Sequence, residues 1–233
     1  MAELKPLYDK TYECLLCKAK FTSKKIRSRF VKVIEFESDF RPVYESEQAN
    51  PILYYAKVCP KCGFSFTDDF TPYFAPGREE LIKEKVCRHW VPQDYGGERD
   101  MESAVKTLKL AAYCGTLKKE KHITTAGVYI RLAWLYRMAE DEEQERRFLN
   151  LALHEYMESY LTDDFRNTQV TEIRMLYLIG ELSRRTGKIE QAVRYFSKVI
   201  EKQENSFEPG IVEMARERWY EIREMQKNER TKE

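Results

Sequence analysis

Two Cys-x-x-Cys pairs, Cys14-Leu15-Leu16-Cys17 and Cys59-Pro60-Lys61-Cys62-Gly63, constrain this chain more than any other feature. Four thiolates at such spacings can close on one tetrahedral ion, and the 41 residues between the pairs must then loop out and return. Zinc is the expected ion, and an iron tetrathiolate also suits four sulfur ligands. Pro60 fixes φ at the second knuckle, and Gly63 permits the tight turn after it. A closed set of four ligands leaves no position for water. The site is therefore expected to be structural, without hydrolytic chemistry.

Around the knuckles the chain reads as short strands. Residues 8–13 and 18–21 flank the first pair as a hairpin. Residues 26–36, rich in β-branched and aromatic side chains, read as one strand, and residues 52–58 as another running into the second pair. Together they predict a zinc ribbon over residues 1–76, too small to fold without much help from its metal. Lys24, Lys25, Arg27 and Arg29 lead a basic cluster between the knuckles, with Phe21, Phe30 and Tyr44 able to stack on bases, so nucleic-acid binding is one expectation. Nearby acids at Glu35, Glu37 and Asp39, and a formal net charge of +1, favour a solvated hairpin tip instead.

Pro72, Pro76 and Gly77 mark a boundary, and the period then becomes helical over residues 77–226. Helices are expected at 78–90, from a cap at Asp100 to Gly115, at 124–139, 148–160, 173–185 and 192–200, and from Ile211 onward after a break at Pro209-Gly210. Gly187 reads as a left-handed cap, and 227–233 as a charged, frayed tail. Two helix pairs share a pattern. Ala133 precedes Leu149 by 16 positions and Ala152 by 19, and Gly180 precedes Phe196 and Val199 by the same intervals. This small–large–small spacing resembles the tetratricopeptide repeat, with an enlarged connection near 162–171 and Glu145 standing where a small residue is expected. An unrelated α-bundle is the simpler alternative. In the repeat alignment Trp134, Arg137, Arg174, Tyr177, Glu181, Arg184 and Arg185 project into a concave groove suited to an acidic peptide. Arg184 and Arg185 could equally be helix-terminal cations offsetting the dipole.

No catalytic constellation stands out. His89, His122 and His154 are scattered, Gly187-Lys188 lacks the rest of a P-loop, and no GxSxG or GxGxxG occurs. Convergence of Cys87, His89 and Cys114 on a second metal ranks behind their burial as small packing residues. An enzyme site at the ribbon–helix junction, near Tyr54, Tyr73, His89 and Trp90, ranks behind the binding readings. No apolar run approaches a membrane span, and the first residues contain no apolar signal core, so a cytoplasmic protein with reduced cysteines is expected.

Five features occur together: the two cysteine pairs, Lys25-Ile26-Arg27-Ser28-Arg29, Asp39-Phe40, Asn50-Pro51 with Tyr54-Tyr55, and Val58-Cys59-Pro60. With them the whole chain resembles an uncharacterised bacterial family, a domain of unknown function with a tetracysteine ribbon followed by tetratricopeptide-like helices. The resemblance implies a cytosolic protein with a metal site and no known reaction. The expected fold is therefore α+β, a small ribbon followed by an all-α array of helical hairpins. The leading expectation is a zinc-stabilised, non-enzymatic adaptor holding a protein or peptide in its groove.

Overall fold

The computed structural model describes residues 4–46, 49–205 and 207–230. The N-terminal part holds three two-stranded antiparallel sheets: β1 (Leu7–Glu13) with β2 (Lys20–Ile26), β3 (Val33–Phe36) with β4 (Pro42–Tyr44), and β5 (Lys57–Val58) with β6 (Ser65–Phe66). The first cysteine pair turns β1 into β2, and the second turns β5 into β6. Seven α-helices follow among the described residues: α1 (Arg78–Lys85), α2 (Met101–Lys118), α3 (His122–Met138), α4 (Glu142–Thr162), α5 (Glu172–Arg185), α6 (Ile189–Glu201) and α7 (Pro209–Arg230). This is the α+β arrangement that the sequence predicts.

Two of the expected strands take another form. Residues 26–36 are interrupted by a 3-10 turn, Ser28–Phe30, closed by the Phe30 and Val31 N–H groups donating to Arg27 and Ser28 carbonyls. A new hairpin therefore opens at Val33. Residues 51–54 form a 3-10 turn because Pro51 lacks the N–H a ladder needs, while Asn50 Oδ1 accepts the Ile52 N–H at 2.9 Å. Arg99, nearly fully buried, donates to the Leu53 and Ala56 carbonyls at 3.2 and 2.7 Å, and further to Tyr95 O and Ser23 Oγ. One guanidinium thus satisfies much of a buried, irregular backbone.

Helix ends follow their capping residues. Asp100, Asp141 and Thr171 accept the N–H groups of Ser103, Gln144 and Arg174. Gly187, at φ +80°, ends α5 with the Lys188 N–H on Ser183 O. Gly115 does not end α2: the helix continues to Lys118, and the missing side chain makes room for the Phe70 ring, which a Cβ would meet at 3.0 Å. Pro209 opens α7 as its first residue, where its missing N–H costs nothing. That helix carries the chain past Gln226 to Arg230, and residues 231–233 of the expected tail lie outside the described residues.

Helix α3 packs on α4, and α5 on α6, with α7 against both α5 and α6. The long α4–α5 connection returns across α3, where Asp164 accepts the His122 and Ile123 N–H groups. Cys14, Phe64, Phe66 and Phe70 share one continuous core with Ile82, Leu108, Ala111 and Leu132. The packing runs unbroken past position 76. A second cluster joins α5, α6 and α7 around Tyr177, Phe196 and Ala215.

Candidate metal centre and helical groove

Each cysteine pair sits on a turn whose backbone is tied to its own sulfur side. In the first, the Cys14 N–H donates to Ala19 O and the Lys18 N–H to Cys14 O, with Lys18 at φ +59°; the Cys17 N–H lies 3.5 Å from Cys14 Sγ. In the second, the Cys59 N–H donates to Phe64 O and the Gly63 N–H to Cys59 O, with Gly63 at φ +74°. Glycine adopts that left-handed conformation without strain. A Cβ there would also lie 2.4 Å from the Trp90 ring, whose Nε1 donates to Pro60 O at 2.9 Å.

The four sulfurs lie within 4.8 Å of one another, with Cys14–Cys62 at 3.7 Å and Cys17–Cys59 at 3.6 Å. A tetrahedron with metal–sulfur bonds of about 2.3 Å has edges of about 3.8 Å, so the donor set fits a tetrahedral soft cation. Hydrogen bonds from Cys14 and Cys62 hold the Cys59 thiol down, while the hydrogen bond to Cys59 leads the effects that push Cys14 up. Cys62 is pushed up as well, again led by its bond to Cys14. Thiolates gathered this closely repel one another, and a bound cation would relieve that repulsion.

Cys87, His89 and Cys114 do not form a second centre. The tetracysteine cluster is the one such group among the described residues. Cys114 is fully buried and accepts the Ser65 N–H at 3.3 Å, and burial pushes its thiol up to about 12. His89 and His154 are exposed, and His122 meets Glu155.

The residues expected to line a groove do converge, but on the chain's own β3–β4 turn, residues 37–41. Trp134 Nε1 donates to Asp39 at 3.0 Å, and Arg137 reaches Asp39 at 2.7 Å, together with Glu37 and Glu145. Ser38 Oγ donates to Glu181 at 2.6 Å and accepts from Arg185 at 2.8 Å, while Tyr177 donates to Ser38 O at 2.9 Å. Phe40, at φ +63°, lays its ring 5.3 Å from that of Tyr177 and under Arg174, with 4.8 Å to the guanidinium. Arg184 instead holds Glu181. Asp39 and Glu181 are completely buried. Burial raises both carboxyls, yet Arg137 beside Asp39 and Arg184 beside Glu181 outweigh it and hold each below the usual range. Sequence reasoning had these side chains open to a partner, whereas the acidic segment they receive lies in the same chain. Glu145 is likewise explained, as the third carboxylate on Arg137.

The basic cluster is partly engaged by its own hairpin. Lys24 pairs with Asp9 at 2.9 Å, Arg27 lies over the Tyr8 ring, Arg29 over Phe30, and Lys25 stands opposite Tyr8 in the β1–β2 register. Nor do the expected junction residues gather. The Tyr54 hydroxyl accepts the Arg99 N–H, Trp90 covers the second knuckle, and Tyr73 and His89 face solvent.

A family model described as "Uncharacterized protein conserved in bacteria (DUF2225)" matches residues 7–222, a span that holds the cysteine cluster, the turn at 37–41 and the groove. No curated protein and no solved structure matches the chain. No described helix is long and apolar enough to cross a membrane.

Proposed function

The chain belongs to this uncharacterised bacterial family, and we propose that it is a zinc-stabilised, non-enzymatic binding protein whose groove takes an acidic segment of a protein partner. The observation that supports this most is the seat of residues 37–41. A tight acidic turn, closed by the Phe40 N–H on Glu37 O, already fills it through bidentate, aromatic and backbone contacts, the chemistry by which a groove of arginines and aromatics holds a peptide. A partner segment carrying the same acid–aromatic pattern would compete with the turn for the seat. Zinc is favoured because four thiolates in a closed site suit a redox-inert structural ion. The helix pairs, with Gly180 beneath Phe196, support a tetratricopeptide-like array, and a cluster of metal-binding thiols fits a reducing cytoplasm.

A synthetic peptide of residues 35–44, added to full-length protein carrying Asp39→Ala and Phe40→Ala, tests the reading. Binding by calorimetry, lost when Arg137→Gln is added and absent for a scrambled peptide, is expected. Failure of the native-sequence peptide to bind would overturn it.

A further inference from the structure

Beside the occupied seat lies a cleft of about 560 Å³ between the ribbon and helices α3, α4 and α5. That size is typical of sites for small molecules. Its centre is Arg131, half-buried one turn after Gly127 on α3. The Arg131 guanidinium lies 3.8 Å from the centroid of the Tyr55 ring and 5.8 Å from that of Trp134, and Nη1 donates to Gly127 O at 2.7 Å. No carboxylate among the described residues lies within ion-pair distance of it. A guanidinium carries five donors, so most of those on Arg131 remain for a ligand.

Two of the neighbouring charges are paired off: Asp39 is held by Arg137, and Arg174 pairs with Glu208 at 3.2 Å. Asp69, exposed to solvent, accepts from the Tyr55 hydroxyl and is the one lining carboxylate without an ion-pair partner among the described residues. Lys121, exposed at the rim, adds a second cation. The rest of the wall is mixed: Ile123, Ile130, Val170 and Leu178 supply apolar surface, and Thr71, Thr124, Thr168 and Gln169 line it with uncharged polar groups. Gly127 keeps the floor open, since even a Cβ there would come within 3.3 Å of Arg131 Nη1 and 3.9 Å of the Tyr55 hydroxyl. The positive charge of Arg131 also acts on Tyr55 and Tyr156, offsetting part of the rise that burial imposes on both.

We propose that this cleft binds a small organic anion, a carboxylate or phosphate on an apolar ring-sized body. The anionic group would meet Arg131 and Lys121, and the body would lie among Tyr55, Trp134 and the aliphatic wall. A half-buried arginine laid on the Tyr55 ring with Trp134 nearby, and with no carboxylate of its own among the described residues, is a preorganised receptor for one negative charge. Asp39 and Phe40 form part of the wall, so the cleft is complete when the turn is seated. The proposal is independent of the peptide reading: a peptide would displace the turn, whereas this ligand needs it in place.

The test uses the full-length, metal-loaded protein and ligand-observed NMR with benzoate, phenyl phosphate and the neutral analogue benzyl alcohol. At least one anion is expected to bind tenfold or more tightly than benzyl alcohol and to shift the Trp134 indole N–H resonance. Arg131→Gln should weaken that anion at least tenfold, and Gly127→Val should abolish it by filling the floor. Arg166→Gln, outside the cleft, should bind as wild type does. Metal content and far-UV circular dichroism check that each variant is folded. Equal binding of anions and benzyl alcohol to the wild type would overturn the proposal without reference to any variant. Undiminished anion binding by folded Arg131→Gln would overturn it as well.

Discussion

Asp39 and Arg137 lie 98 positions apart in the sequence, and their side chains meet at 2.7 Å. The carboxylate is completely buried, and the Arg137 side chain keeps 15% of its surface exposed. This contact fastens the turn between β3 and β4 to the middle of the helical layer, so the N-terminal sheets and the helices share polar anchors as well as a core.

Removing one partner should show how much the contact contributes. Arg137→Ala leaves Asp39 buried without its main cation, and breaking a buried pair in this way costs about 3–5 kcal/mol. Asp39→Asn keeps the shape and removes the charge, so it should cost less. Denaturant unfolding of the two single variants and the double variant gives the coupling. A double variant no more stable than Arg137→Ala alone would show that the buried charge is not what makes the loss.

Acid should release the same turn. Asp39 and Glu181 have ordinary values of 3.8 and 4.5, and both are lowered in the folded chain. An unfolded chain therefore takes up these protons at a higher pH than the folded one does. Their contribution is fully present above about pH 5 and is lost as pH falls through the lowered folded values. Stability measured from pH 6 to pH 3 should fall, and Asp39→Asn should flatten part of that fall. A profile identical in the variant would place the pH dependence elsewhere.

The knuckles were legible in the sequence because four soft ligands at short spacing have few uses. The pairing of Gly180 with Phe196 was legible from a spacing of 16 positions. The turn at 37–41 was not read as the groove's occupant, although both halves were visible. Glu37 and Asp39 were seen as balancing nearby basic charge, and the arginines as waiting for an acidic partner. Nothing local links sites about 100 residues apart, so their union emerges only from the fold. The strand expected at 52–58 held only at Lys57–Val58, for a related reason. β-branched and aromatic content is a statement about packing, while Pro51, the Asn50 cap and the distant Arg99 decided the backbone.

Metal removal should reach further than the ribbon. Residues 1–76 read as a separate domain in sequence, which would leave the helices standing when the ribbon is lost. In the structure Phe64, Phe66 and Phe70 pack into the core that holds Leu108, Ala111 and Leu132, so freeing the second knuckle exposes part of the helical layer. Chelation, or Cys59→Ser, is expected to lower the melting temperature of the helical signal in a single transition. Helical melting unchanged on full loss of metal, confirmed by elemental analysis, would show two independently stable units.

The close approach of α5 and α6 offers the last test. Gly180 stands where a Cβ would lie 2.8 Å from the Phe196 ring, nearer than real Cβ contacts allow. Phe196 is itself fully buried, so the ring cannot swing into solvent. In an exposed helix, Gly→Ala stabilises by up to about 1 kcal/mol through propensity. Here overpacking of about 1–3 kcal/mol opposes that gain, so Gly180→Ala should be net destabilising. Phe196→Leu alone should also cost stability by leaving space in the second core cluster. Combined with Gly180→Ala, the smaller side chain relieves the clash, and the double variant should be more stable than the sum of the two losses predicts. Additive losses would mean that the helices separate to admit the methyl group. In that case, the small residue at 180 would not be what sets the distance between them.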